Sequence, residues 1–211
     1  MVVALLVALL RFAAVASQDN VALTRIQAML AHPDAMCGDF DQRKTLVGMQ
    51  RAVRSSGRFC VLADRGVLWM TKLPFESTLR LTRDEITESH NERVTSRLTV
   101  KQEPGLGVIN DLLLSVLAGD LKRLGASFTV TATVDGATWR ARLVPNDAGM
   151  RRAIGMIDLA GGEFVRQVTI TETAGDHTAI MFAGMVTGLS VLQPDELRAL
   201  GSPARRTPPR P

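Results

Sequence analysis

Apolar and polar positions alternate with a period near two over much of this 211-residue chain. After a first helical stretch, Asn20 to Ala31, which spaces Val21, Leu23, Ile26, Met29 and Leu30 on one face and stops at His32-Pro33, the pattern becomes that of short strands. Alternation marks 39–48, 57–63, 66–72, 77–83 and 93–101, and Ser55-Ser56-Gly57, Asp64-Arg65-Gly66 and Pro74 read as the turns among them. Asp135-Gly136 between 126–134 and 137–144 is a strong hairpin signal. Gly161-Gly162 and Ala174-Gly175-Asp176 separate 153–160, 163–173 and 177–184 into further hairpins. About ten strands joined by tight turns predict an antiparallel meander, which must curl into a barrel or half-barrel to manage its edges.

One segment breaks the rhythm. Gly105 to Leu124 follows Pro104 and carries Leu106, Val108, Ile109, Leu112, Leu113, Leu114, Val116 and Leu117, with only Asn110, Asp111 and Ser115 interrupting its middle. A helix apolar over most of its circumference must be covered on most sides, and this one is too short and interrupted to span a bilayer. It fits equally a lid across the mouth of a curled sheet or a plug inside a small barrel.

The first 16 residues are apolar and end in Ala14-Val15-Ala16, which reads as a secretory signal peptide cleaved near Ala16 or Ser17, although Arg11 interrupts the run and no basic residue precedes it. An N-terminal core helix is the alternative. The mature domain is expected over 18–200 as one unit, with a disordered Pro/Arg-rich tail at 201–211.

Charge then narrows the partners. The net charge of +4 comes from Arg11 and from the tail's Arg205, Arg206 and Arg210; without them 21 basic residues face 21 acidic ones. A neutral body with few aromatics lacks the footprint of a nucleic-acid binder. Two cysteines, Cys37 and Cys60, fit an exported protein with one disulfide, whereas two buried thiols would suit a cytosolic one.

Catalytic patterns do not emerge. His32, His90 and His177 are far apart and differently placed, so no metal site is proposed and no cofactor is expected. Pro104-Gly105-Leu106-Gly107 lacks the Gly-Lys-Ser/Thr of a phosphate loop, and no Gly-x-Ser-x-Gly elbow occurs. The carboxylate pairs Asp39/Asp41 and Asp84/Glu85 fall at strand ends or turns, where such groups are normally solvated. The expectation is that the protein is not an enzyme.

The order of several short motifs resembles the outer-membrane lipoprotein carrier family, the LolA-like proteins. It runs through Gly38-x-Phe40-x-Gln42-x-Lys44, Ser56-Gly57-Arg58-Phe59, Gly66-Val67-Leu68-Trp69 with Pro74-Phe75, and Ser77 to Leu81. More loosely it continues through Trp139 to Pro145, the strand pair after Ile154 and Gly175-Asp176-His177-Thr178. The resemblance implies an α+β fold: an open antiparallel barrel of about eleven strands under a helical lid, with an apolar cavity for acyl chains. By the same resemblance Trp69 is the strand tryptophan. Alternation puts Val67 and Thr71 on its face and Leu68 and Met70 on the other. The implied cavity residues are Phe59, Val67, Trp69 and Thr71, with Ile109, Leu112, Leu113 and Val116 on the lid, although Trp69 reads equally well as a core residue beneath the lid. Arg65 matches the arginine that latches the lid.

The chain lacks the additional C-terminal strand and helix of longer members, which points to a divergent branch. The implied function is a soluble periplasmic carrier of lipoproteins or related acyl lipids. The implied partners are an inner-membrane releasing complex and an outer-membrane acceptor, and a monomer is expected. Residues 15–20 hold no cysteine for lipid anchoring, which favours a shuttle. The alternatives are a non-transporting envelope lipid sensor on the same fold and an envelope-lipid enzyme. Peptide mapping of exported protein without reductant is expected to recover Cys37 linked to Cys60, and free thiols there would refute the pairing.

Overall fold

The computed structural model describes residues 21–91, 93–99, 115–116 and 121–201. Residues 1–20, expected to hold the signal peptide, residues 202–211 and most of the apolar 105–124 segment lie outside the described residues, with Ile109, Leu112 and Leu113 among them.

Eleven strands form one open antiparallel sheet: β1 (Ala35–Thr45), β2 (Val53–Leu62), β3 (Gly66–Leu73), β4 (Ser77–Leu81), β5 (Glu85–His90), β6 (Arg93–Thr99), β7 (Phe128–Asp135), β8 (Thr138–Pro145), β9 (Ile154–Gly161), β10 (Val165–Glu172) and β11 (His177–Thr187). Their order is β6-β5-β4-β3-β2-β1-β11-β10-β9-β8-β7, so the first and last strands are neighbours in the middle and β6 and β7 are the edges. Among the described residues the α-helices are few and short: α1 over residues 21–29, α2 (Ala148–Arg151) and α3 (Pro194–Leu200), with a further helical pair at 115–116. The chain forms two compact units, one from residues 1–32, 41–54 and 115–183 and the other from 33–40, 55–114 and 184–211.

In the first unit the turn between β7 and β8 is the expected one. Gly136 takes φ 57°, and the Thr138 hydroxyl donates to the Asp135 carbonyl at 2.9 Å. The unbroken register from Phe128 opposite Pro145 to Asp135 opposite Thr138 follows from it. Alternation along β8 is complete: Trp139, Ala141, Leu143 and Pro145 are buried while Thr138, Arg140, Arg142 and Val144 are exposed. Ile157 and Leu159 of β9 and Val168 of β10 join the buried set, as do Ile26 and Leu30 from α1 and its end. Trp139 satisfies its indole by donating to the Gly162 carbonyl at 2.8 Å.

Several expectations are corrected. Ser55-Ser56-Gly57 is no turn; it lies within β2, at a bulge where Ser56 faces Leu73 and Gly57 faces Thr71. Glycine is required there because a Cβ on Gly57 would sit 2.0 Å from the Met70 carbonyl oxygen. Asp84 and Glu85 border or enter an unanticipated strand, β5, whose one large apolar residue, Ile86, gave little alternation to read. The segment at 194–200, to which no element was assigned from sequence, is helical. Pro194 opens α3, Asp195 and Glu196 favour its N-terminal dipole, and Gly201 at φ 79° ends it.

In the second unit α3 covers one face of the β1–β3 segment. Ala35, Cys37, Cys60, Leu62 and Leu68 form a buried cluster with Leu192 and Leu200, against which Met70, Val191 and Leu197 pack. The Cys37–Cys60 disulfide joins neighbouring strands within that cluster, with its Cα atoms 4.1 Å apart. Over a separation of 23 residues its constraint on the unfolded chain contributes about 3 kcal/mol in the chain-entropy model. Glu196 is buried in α3, yet both carboxylate oxygens are used: one accepts from Arg58 Nε at 2.9 Å and the other from the Gln193 amide at 2.8 Å. Arg58 Nη2 also donates to the Val191 carbonyl at 2.9 Å.

Removing one partner of such a pair strands the other, so Glu196→Ala is expected to lower unfolding free energy by about 3 kcal/mol in equilibrium denaturation, with Arg58→Met/Glu196→Leu recovering most of the loss. A loss below about 0.5 kcal/mol would show the pair to be dispensable.

Candidate lipid-facing surface

β3 is the centre of the candidate site, and it exposes the logic of two faces. Leu68 and Met70 point into the cluster under α3, as their expected separation from Trp69 requires. Val67, Trp69 and Thr71 occupy the opposite face, and cross-strand register extends each of them into a row. The Val67 row reads Val61, Val67, Leu81, Ile86, Leu98 across β2 to β6. The Trp69 row reads Phe59, Trp69, Leu79, Glu88, and the Thr71 row ends at Gly57 on one side and Ser77 on the other.

Trp69 sits in an aromatic group. Its ring stacks on Phe40 of β1, with centroids 3.9 Å apart and planes at 26°, and Phe59 lies tilted at 6.4 Å. Phe40 and Phe59 are buried, at 3% and 1% exposure, and Trp69 is half-buried. Such aromatic pairs add about 0.5–1.5 kcal/mol beyond the area they bury, which fixes the indole plane and leaves part of its surface open. Exposure along the Val67 row grows outward: Val67 is 0% and Leu81 2% exposed, Ile86 is half-buried and Leu98 reaches 44%. The row is therefore an apolar strip that is sealed at the centre of the unit and open towards β6.

Of the residues assigned by resemblance, Phe59, Val67, Trp69 and Thr71 come together on this face. Val116 is buried within a helical pair, residues 115–116, of the other unit. Ile109, Leu112 and Leu113 lie outside the described residues. Arg65 sits in the β2–β3 turn, its amide donating to the Leu62 carbonyl at 3.0 Å, and its Nη1 lies 3.9 Å from where a Cβ on Gly201 would be. The latch role assigned to it thus has the end of α3 as its described surrounding. Phe40, Leu79, Leu81 and Ile86 belong to the surface and were not among the expected site residues. Phe40 stands in the Gly38-x-Phe40 motif, but register, which sequence does not print, is what stacks it on Trp69.

Sulfurs of Cys37 and Cys60 and a carboxylate oxygen of Glu196 lie within 4.8 Å of one another. The sulfurs are bonded to each other and the carboxylate to Arg58 and Gln193, so this buried group acts as packing and not as an ion cage.

A family model described as outer membrane lipoprotein carrier protein LolA-like matches residues 8–201. The chain belongs to this family. No curated protein sequence matches it significantly. Among solved structures, this LolA-like protein is similar to a LolA superfamily protein from Nitrosomonas europaea, at 9% identity over 85% of this chain and 96% of that one, with a TM-score of 0.46. A putative outer membrane lipoprotein-sorting protein domain from Vibrio parahaemolyticus matches at 9% identity over 87% and 97%, TM-score 0.47. The Pseudomonas aeruginosa MucA/MucB complex matches at 14% identity over 82% and 62%, TM-score 0.38. No helix among the described residues is long and apolar enough to cross a membrane.

Phe40→Ala is expected to cost about 3–5 kcal/mol in equilibrium unfolding. In a Trp139→Phe background, where Trp69 alone reports, Phe40→Leu is expected to keep the fold and shift the emission to the red. An unchanged spectrum would show that Phe40 does not shield the indole.

Proposed function

We propose that this LolA-like protein is a soluble periplasmic carrier that shields the acyl chains of lipoproteins or related lipids in transit between the inner and outer membranes. The observation that carries the reading is the apolar row from Val61 to Leu98, with Trp69 held between Phe40 and Phe59 beside it. An acyl chain of about fifteen methylenes, each contributing about 0.8 kcal/mol when buried, does not cross water unshielded at a useful rate. A strip that is rigid and sealed at one end and accessible at the other gives such a chain a surface to lie on, while the aromatic group supplies flat contact area without flexible side chains to order. The apolar segment 105–124, read from its sequence as a helix, is proposed as the cover, with Leu112 and Leu113 expected on its inner face and Arg65 as its latch; its described end, Leu121–Ala126, is a 3-10 helix. The reaction is binding and release, with no bond made or broken. A releasing complex at the inner membrane and an acceptor at the outer membrane are the partners this role needs.

Organic extraction and mass spectrometry of protein purified from its native periplasm are expected to recover acyl lipid. Leu79→Glu, at a half-buried position of the strip, and Leu113→Glu are each expected to lower the recovered lipid by about tenfold or more, because a charged group forfeits the apolar contacts of several methylenes. Protein that is consistently empty, and whose melting temperature does not rise with added lipid, would overturn the carrier and favour the sensor reading.

A further inference from the structure

The polar face of β7–β10, in the first unit, carries a pocket of about 580 Å³ that the acyl reading does not use. Two cross-strand rows build it. One runs Thr133, Arg140, Ala160, Gln167 and the next Thr131, Arg142, Asp158, Thr169, each residue directly opposite its neighbour on the adjoining strand. Behind them Ala141, Ile157, Leu159 and Val168 are buried, so the strands that hold the pocket are fixed by the core.

The two arginines are not equivalent. Arg142 is gripped by Asp158, with Nε to Oδ1 at 2.7 Å and Nη2 to Oδ2 at 3.2 Å. That hydrogen bond, and then the carboxylate charge, hold the guanidinium pKa above its ordinary value. Its charge is cancelled locally. Arg140, about 7 Å along the same strand face, is exposed and has no ion pair or side-chain hydrogen bond among the described residues. Among the described residues the pocket therefore has one uncompensated positive charge. Around it lie neutral hydrogen-bonding groups: the Thr131 and Thr133 hydroxyls, and Gln167, whose amide donates to the Thr169 hydroxyl at 3.4 Å and so leaves its carbonyl as an acceptor. The small side chain of Ala160 between Arg140 and Gln167 leaves the depression.

We propose that this pocket binds a phosphorylated polyol, as a free sugar phosphate or as the headgroup of a lipid. A guanidinium without a partner grips phosphate oxygens in a fork. The pocket is far larger than one phosphate requires, and its remaining lining offers donors and an acceptor suited to hydroxyl groups. No aromatic residue among the described ones lines it, so a nucleobase finds no described ring to stack on. The site stands independently of the acyl strip, and either can fail alone.

The test is amide NMR of the full chain titrated with glucose 6-phosphate, glucose and inorganic phosphate. Glucose 6-phosphate is expected to shift the amides of Thr133, Arg140 and Ala160 saturably, with half-saturation at about 1 mM, and glucose is expected to leave them unmoved. Inorganic phosphate is expected to bind more weakly than the sugar phosphate. Arg140→Gln is expected to weaken binding by about tenfold and Thr133→Val by about threefold, while Arg51→Gln, an exposed charge outside the pocket, changes nothing. Both pocket variants lie at exposed positions and are checked by circular dichroism. Sedimentation with phosphatidylglycerol vesicles but not phosphatidylcholine vesicles, lost in Arg140→Gln, would name the headgroup as the source; saturable shifts with the soluble sugar phosphate alone would name the free ligand. Absence of saturable shifts, equal weakening by Arg51→Gln, or inorganic phosphate binding as tightly as glucose 6-phosphate would overturn the proposal.

Discussion

A strand buries on two sides or wastes one, and β3 is apolar on both. Leu68 and Met70 go to one face, Val67 and Trp69 to the other, and the period of two permits no compromise between them. Much of the second unit answers that constraint. One face is closed from within the chain by α3, the disulfide and their shared cluster. On the opposite face Phe40 and Phe59 flank Trp69, and exposure grows along the Val67 row from Leu81 through Ile86 to Leu98.

The closed side is held by polar as well as apolar means. Glu196 is buried beside sulfur and aliphatic carbon, a location that costs free energy for any charge. It is tolerable because Arg58 and the Gln193 amide occupy both its oxygens. Greasy contacts alone would let α3 slide on the strands; the ion pair and the Arg58 bond to the Val191 carbonyl give it one seat. Arg58 is thus a positioning residue for the C-terminal segment, on the strand that also presents Phe59 to the opposite face.

Where alternation was strong the elements were legible from sequence: β3, β7 and β8 fall where their period of two and their turn residues place them. The consecutive antiparallel pairs within β1–β6 and within β7–β11 followed from the spacing of turns; the pairing of β1 with β11 and the break between β6 and β7 did not. What failed had specific physical causes. The Ser55-Ser56-Gly57 turn signal marks a bulge, because a glycine demanded by close approach to a neighbouring strand looks the same in sequence as one demanded by a turn. The β5 strand carries one large aliphatic residue and was invisible to periodicity. The aromatic group was half visible: the resemblance named Phe59 and Trp69 together, and register sets them opposite each other, but Phe40 joins them only through the alignment of β1, which depends on contacts distant in sequence. In the same way Arg140 and Arg142 show their shared face in Thr-Trp-Arg-Ala-Arg-Leu, and nothing in the sequence says that Asp158 will claim one and leave the other.

The strand order has a consequence for how the molecule comes into being. Most pairings join neighbours in sequence and close short loops, but the one between β1 and β11 joins the first strand to the last across nearly the whole described chain. Closing so long a loop carries the largest entropic penalty of any pairing in the sheet. Hairpins can therefore form as the chain emerges, whereas β1 keeps an unpaired edge until β11 has been made. Translation order leaves the middle of the finished sheet to be zipped last.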